Sequence, residues 1–247
     1  MKNKKILLDE QFILACKEGN IAKIQKILKK GANANAVDKD GCTALMQAAT
    51  KGQLAVCQLL IENGADVNVK DNHGITLLMR FAIKGKTDFC ELLIKNGADV
   101  NAVGLIGYSP LMEATWTGQA DVCRLLIKNG ADVNAVDEDG CTALMIGGLT
   151  GHTNICQILI ENGANVNAVN ENGSTALMKA ASAGKKDACK LLIKNGADIN
   201  ARNKDGKSAL NIAEDYKQIE IINLLITYGA SSENGDPRDF EPNEQEL

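Results

Sequence analysis

The feature that most constrains the fold of this chain is a repeat of constant length. Glycine recurs every 33 residues without an insertion or deletion, at Gly31, Gly64, Gly97, Gly130, Gly163, Gly196 and Gly229. One repeat follows the pattern DxDGxTALMxAxxxGxxxxCxLLIxNGADVNA. A constant period of this length indicates a solenoid, in which a single repeat cannot bury its apolar face alone and must stack on its neighbours.

Within a repeat, local signals predict two short helices and a turn. In the second repeat, residues 38–41 (Asp-Lys-Asp-Gly) have turn chemistry, in which glycine supplies a positive φ angle. Thr43 is placed to cap a short helix over residues 44–49. A second helix is expected over residues 54–62, and Gly64 is expected to end it in the left-handed conformation. Each repeat is therefore predicted to be an antiparallel helix pair with a projecting hairpin-like turn.

The period, the G-x-T-x-L junction between turn and helix, the glycine in mid-repeat and the terminal NGADVNA motif resemble those of ankyrin repeats. The similarity covers residues from about 5 to 230. It implies an all-α fold with short hairpin-like turns, an ankyrin-type helix-pair solenoid of about seven 33-residue units in a single array over residues 1–230. The expected units are a cap-like unit at 5–37, full units at 38–70, 71–103, 104–136, 137–169 and 170–202, and a cap-like unit at 203–230.

The sequence departs from the ankyrin pattern in two ways that affect stability. Where the family has Thr-Pro-Leu-His, the second repeat has Thr-Ala-Leu-Met at 43–46, so apolar packing is expected to replace the hydrogen bonds that the histidine side chain usually makes. Gly147 and Gly148 stand where other repeats mostly have alanine, and a glycine costs a helix roughly 1 kcal/mol relative to alanine. They predict either a weak point at residues 137–151 or a helix packed so tightly that no Cβ fits.

Charge and hydropathy exclude several classes of function. The formal net charge is −4, and residues 231–247 hold six acids and one arginine, which leaves the rest of the chain near neutral. Such a body has no basic footprint for nucleic acid, and the acidic segment is expected to be disordered. No apolar stretch reaches signal-peptide or membrane-spanning length, so we expect a cytoplasmic protein without membrane contact, unless an unrecognised signal exports it to a host cell.

Five of the eight cysteines recur at the repeat period, which indicates structural thiols rather than disulfides. In a stacked array, equivalent positions form a column of small buried hydrophobes. These cysteines are Cys57, Cys90, Cys123, Cys156 and Cys189. No CxxC motif occurs and the chain has two histidines, so no metal site is expected.

The sequence offers no convergent set of titratable residues, so we expect no enzyme activity, no catalytic residue and no cofactor. His152 occupies a position where ankyrin repeats commonly have Gly-His, which implies a structural role. His73 lies at a turn tip without an adjacent catalytic partner. No glycine-rich phosphate loop is present.

The repeat at 104–136 differs from its neighbours at positions expected to be exposed. Ankyrin arrays bind through the turn tips and first helix of each repeat, a statement that rests on analogy of fold. This repeat has apolar residues at both tip positions, and the only tryptophan of the chain closes its first helix. The predicted partner-binding residues, which we call the central patch, are Leu105, Ile106, Tyr108, Trp116, Ile75, Arg80, Ile83, Lys84 and Leu149.

An exposed apolar patch with a polar rim is typical of protein recognition. Lys51, together with Arg80 and Lys84, is expected to rim one side of the central patch, and Glu138, Asp139 and Glu171 the other. We therefore expect a monomeric, non-catalytic module that binds an unidentified partner protein. Two alternatives remain: the central patch binds an apolar small molecule or lipid, or Trp116 and Leu105 pack on each other with no partner.

Overall fold

The computed structural model describes residues 2–104 and 106–231, with the side chains of residues 2–5 excepted. Leu105 and the acidic segment beyond Ser231 lie outside the described residues, so the predictions about them stay predictions. The described part contains fourteen α-helices and no β-strand, in agreement with the predicted all-α class. The helices are α1 (Lys2–Glu18), α2 (Ile21–Leu28), α3 (Ala44–Thr50), α4 (Leu54–Glu62), α5 (Leu77–Ile83), α6 (Thr87–Lys95), α7 (Pro110–Trp116), α8 (Ala120–Lys128), α9 (Ala143–Thr150), α10 (Thr153–Glu161), α11 (Ala176–Ser182), α12 (Lys186–Lys194), α13 (Ala209–Asp215) and α14 (Ile219–Thr227).

The local signals of the repeat act as predicted. The hydroxyl of Thr43 accepts a hydrogen bond at 3.2 Å from the backbone N–H of Met46, so it caps α3. Gly64 has a φ angle of 86° directly after α4, where a left-handed residue ends the helix without a Cβ penalty. Isolated antiparallel bridges join the arms of three turns, as between Val37 and Thr43, which gives these turns their hairpin-like form.

Contacts within the chain divide it into two compact units, Met1–Pro110 and Leu111–Leu247. In the first compact unit α1 packs on α2 and α3, while α3 pairs with α4 and α5 with α6. In the second, α9 packs on α10 and α11, and α11 packs on α12 and α13. Neighbours in sequence are thus neighbours in space within each unit, as a solenoid requires. The single array over 1–230 stays a prediction.

The periodic cysteines form part of the core. Each lies on the second helix of its repeat and is buried, and all eight cysteines of the chain are free thiols. Burial raises the pKa of the Cys57, Cys90, Cys156 and Cys189 thiols to about 12 and that of Cys123 to about 11. The prediction of buried structural thiols is confirmed.

Gly147 and Gly148 lie within α9, where this helix approaches its neighbours closely. A Cβ atom on Gly148 would lie 2.8 Å from the backbone oxygen of Ala176 in α11. A Cβ atom on Gly147 would lie 2.8 Å from the Sγ of Cys156 in α10. Both separations are shorter than carbon atoms tolerate, so the structure favours the tightly packed helix over the weak point.

We expect the Gly148→Ala substitution to destabilise the protein by about 1–3 kcal/mol, the range for overpacked cores. The backbone oxygen of Ala176 cannot swing aside as a side chain would, so the clash outweighs the roughly 1 kcal/mol that alanine contributes as a helix former. Urea unfolding followed by circular dichroism measures the change. Asn154→Ala on the exposed face of α10 is the control, and a more stable Gly148→Ala variant would favour the weak point instead.

Asparagine side chains link successive repeats through hydrogen bonds to the backbone. The Nδ2 of Asn35 donates to the carbonyl of Gly64 at 2.9 Å, and its Oδ1 accepts from the N–H of Asp66 at 2.8 Å. These bonds satisfy backbone groups just after the end of a second helix, which the helix itself leaves without partners. The same pair of bonds runs from Asn68 to Gly97 and Asp99, from Asn134 to Gly163 and Asn165, and from Asn167 to Gly196 and Asp198.

We expect Asn167→Ala to lower the free energy of unfolding by about 1–2 kcal/mol, because two hydrogen bonds to the next repeat are lost. The backbone N–H of Asp198 should then exchange with solvent deuterium faster than in the native protein. Asn223→Ala, at an exposed position of α14, serves as the control. An equal loss of stability in the control, or unchanged exchange at Asp198, would contradict the role of the asparagine.

Candidate functional site

In five turns of the described residues, the first residue organises the turn through one side-chain oxygen. The Oδ1 of Asp38 accepts hydrogen bonds from the N–H groups of Asp40 and Cys42, both at 3.0 Å. The same arrangement recurs at Asp71, Asp137, Asn170 and Asn203. Since asparagine makes these bonds as aspartate does, the turn itself does not need a negative charge.

In the first compact unit, the second carboxylate oxygen binds a side chain of the following helix. The Oδ2 of Asp38 accepts from Gln47 of α3 at 2.8 Å and lies 3.4 Å from the ammonium of Lys17. The Oδ2 of Asp71 accepts from the guanidinium of Arg80 on α5, with Nε at 3.1 Å. Burial alone would raise the pKa of Asp38 and of Asp71, but these donors and the backbone N–H groups together hold both pKa values below the usual range.

Six described residues of the central patch lie in the first compact unit. Ile106, Arg80 and Lys84 are exposed, while Ile75, Ile83 and Tyr108 are half-buried. The backbone N–H of Gly104 donates to the carbonyl of Tyr108 at 2.9 Å and closes the turn. A Cβ atom at position 104 would lie 3.5 Å from the Cδ1 of Ile75, so this turn rests against Ile75. Arg80 is engaged with Asp71 but keeps 46% of its side chain exposed.

The other two described residues of the central patch lie in the second compact unit. Trp116 ends α7 and is 46% exposed, while Leu149 is half-buried near the end of α9. The predicted packing of Trp116 on Leu105 involves a residue outside the described part of the chain. Trp116 is thus an exposed aromatic side chain at the end of a helix whose other apolar side chains are buried.

Sequence reasoning missed Glu113, which lies one helical turn before Trp116 on α7. Its side chain is half-buried, and burial raises the pKa of its carboxyl group. Within residues 2–104 and 106–231 no hydrogen bond or ion pair offsets this burial at the carboxylate. A signal was present: Gln47 and Arg80 hold the equivalent position in repeats whose turn begins with Asp, whereas this repeat begins with Gly104.

A cavity of about 660 Å³ lies elsewhere in the first compact unit, between α1 and residues 33–39. Its apolar lining includes Ile6, Leu14 and Val37. No residue of the central patch lines it, so it does not support binding of an apolar small molecule at that patch.

No group of three His, Cys, Asp or Glu side chains in the described part of the chain is arranged to hold a metal ion. None of the described helices combines the length and the apolarity that crossing a bilayer requires.

His152 packs so closely against Gly118 that a Cβ atom on this glycine would lie 2.7 Å from the Cε1 of His152, in keeping with the predicted structural role of the histidine.

A family model described as "Ankyrin repeats (3 copies)" matches residues 10–71, 78–170 and 144–236. The chain belongs to the ankyrin-repeat family. Ankyrin repeats are generally protein–protein interaction modules, and proteins built from them are typically non-enzymatic scaffolds. A search of curated proteins finds no significant match. The matched segments do not count individual ankyrin units, so their number, about seven, stays a prediction.

The low pKa values of Asp38 and Asp71 make the stability of the ankyrin units depend on pH. A carboxyl group whose pKa is lower in the folded state stabilises the fold above its unfolded pKa, about 3.9, and this contribution is lost as the pH falls through the folded value. We expect Asp38→Asn/Asp71→Asn to lower the free energy of unfolding by about 1–2 kcal/mol at pH 7, and the difference from the native protein to vanish near pH 2.

Urea unfolding measured from pH 7 to pH 2 tests this expectation. Asp137→Asn is the matched control, since its repeat carries Ile146, which cannot donate a hydrogen bond, in place of Gln47 or Arg80. If the control shows the same pH-dependent difference as the double variant, the contacts with the first helix are not its cause.

Proposed function

We propose that this chain is a non-catalytic module that binds a partner protein through the turns and first helices of its repeats. The observation that carries the proposal is the exposure of large apolar side chains, Ile106 at 55% and Trp116 at 46%, where sister repeats carry mostly polar residues. Exposed aromatic and apolar side chains with polar neighbours are common at protein-binding surfaces.

The proposed contact residues come from both compact units. In the first they are Ile75, Arg80, Ile83, Lys84, Ile106 and Tyr108, and in the second Trp116 and Leu149. Leu105 is included on the basis of the sequence alone. Trp, Tyr and Arg are the residue types that most often carry large shares of binding energy, and each occurs once in this set.

We expect affinity capture from a lysate of the source organism, or of its host, to retain a protein on the native chain that the Ile106→Ala/Trp116→Ala variant loses. Removing two exposed anchors should weaken binding at least tenfold, since residues of this kind often contribute about 2 kcal/mol or more. Quantitative mass spectrometry of the retained proteins is the measurement.

Tyr216→Ala/Ile219→Ala is the matched control for that capture. These side chains are also exposed, at 64% and 65%, but lie outside the proposed contact residues. A protein retained by the native chain and the control but lost from the first variant supports the proposal. If all three chains retain the protein equally, or if only the control loses it, binding does not involve the proposed contact residues and the proposal is contradicted.

A further inference from the structure

We infer that the partner protein seats a lysine or arginine side chain against Glu113, with Trp116 packing along that side chain. This inference rests on the proposed protein-binding function and adds the chemistry of the partner. It is carried by the position of Glu113 and Trp116 on one face of α7, and by the absence of a cation for Glu113 among the described residues.

Glu113 and Trp116 project from the same face of α7, because residues three apart in a helix are neighbours on its surface. Glu113 is half-buried and Trp116 exposed. A carboxylate partly removed from water, with no donor to replace the lost hydration, costs free energy that an incoming cation would offset.

Equivalent positions in the first compact unit hold side chains that bond within their own repeat. Gln47 donates to Asp38, and Arg80 donates to Asp71. Glu113 cannot play that part, because a carboxylate accepts hydrogen bonds but does not donate them. Its repeat also lacks the acidic turn residue, having Gly104 there. The side chain is thus available to a donor from outside the chain.

The exposed tryptophan adds a second attraction for a basic side chain. A lysine ammonium or an arginine guanidinium is attracted to the face of an indole ring, and the methylene stem of either side chain packs on apolar surface. A tryptophan one turn from a carboxylate therefore suits a basic side chain better than an acidic or purely apolar one. The burial of such a pair strengthens the attraction between the charges.

The side chains on neighbouring helices of the second compact unit bear on how many basic residues the partner segment carries near Glu113. The position equivalent to Glu113 is Ile146, which is buried, in α9, and half-buried Lys179 in α11. Exposed Glu138 and Asp139 occupy the turn tip of the intervening repeat. A negative group, an apolar group and a positive group thus follow one another along three first helices, which favours one basic side chain near Glu113 over a uniformly basic partner.

A library of random twelve-residue peptides displayed on phage, selected on the full chain, tests the inference without knowledge of the partner. We expect the selected peptides to share a lysine or arginine at one position and to lose at least tenfold in affinity on the Trp116→Ala variant. On Glu113→Gln they should also weaken about tenfold, whereas a peptide with methionine in place of that lysine or arginine should bind native and Glu113→Gln chains equally.

Glu161→Gln is the control, because it removes one exposed carboxylate from α10 in the same compact unit and changes net charge by the same amount. Circular dichroism first establishes that each variant is folded, and Glu113→Gln preserves the shape of the side chain. Peptides that need Trp116 but share no basic residue would overturn the inference and leave the protein-binding function standing. Peptides that bind Glu113→Gln as tightly as the native chain would overturn it in the same way. If no selected peptide depends on Trp116, both proposals are overturned.

Discussion

Hydrogen bonding between successive repeats is the constraint on which the rest of this structure depends. A short helix pair leaves backbone groups without partners at the end of its second helix, and it has too little apolar surface to fold alone. In the described residues an asparagine of the preceding repeat satisfies such backbone groups and at the same time ties the helix pair to its neighbour. Asn35, for example, fixes the segment around Gly64 and Asp66, and so sets the distance at which the next helix pair stacks.

Helix ends could be predicted from the sequence, whereas some contacts between stacked repeats could not. Helix ends are decided by chemistry within a few residues, such as the hydroxyl of Thr43 or the conformational freedom of Gly64, and both acted as expected. The two glycines of α9 were ambiguous, because their effect depends on how near Ala176 lies. The asparagine links were missed although the residue recurs visibly, since its partners lie 29 and 31 positions further along the chain.

The residues of the candidate site, too, could be predicted from the sequence only in part. Contrast between sister repeats was enough to single out Ile106, whose position is polar in the other repeats, and Trp116, which is the only tryptophan of the chain. Glu113 was missed because a glutamate on a helix is ordinary in itself. Glu113 stands out because its side chain is half-buried and no hydrogen-bond donor offsets that burial. Neither property can be read from the sequence alone. At the same helix position, Gln47 and Arg80 bond to the acidic turn residue of their own repeats, whereas burial is what raises the pKa of Glu113.

The fixed spacing of the asparagine links also limits how a chain of this kind changes length over time. An insertion of one residue between Asn167 and Gly196 would move both the carbonyl of Gly196 and the N–H of Asp198 out of reach of the Asn167 side chain. An added block of 33 residues, in contrast, brings its own asparagine and its own backbone partners. A change in length by whole repeats therefore preserves these hydrogen bonds, whereas a change by a fraction of a repeat breaks them. Because each new block arrives with free tip and helix positions, duplication enlarges the surface open to mutation without altering the bonds that join the blocks.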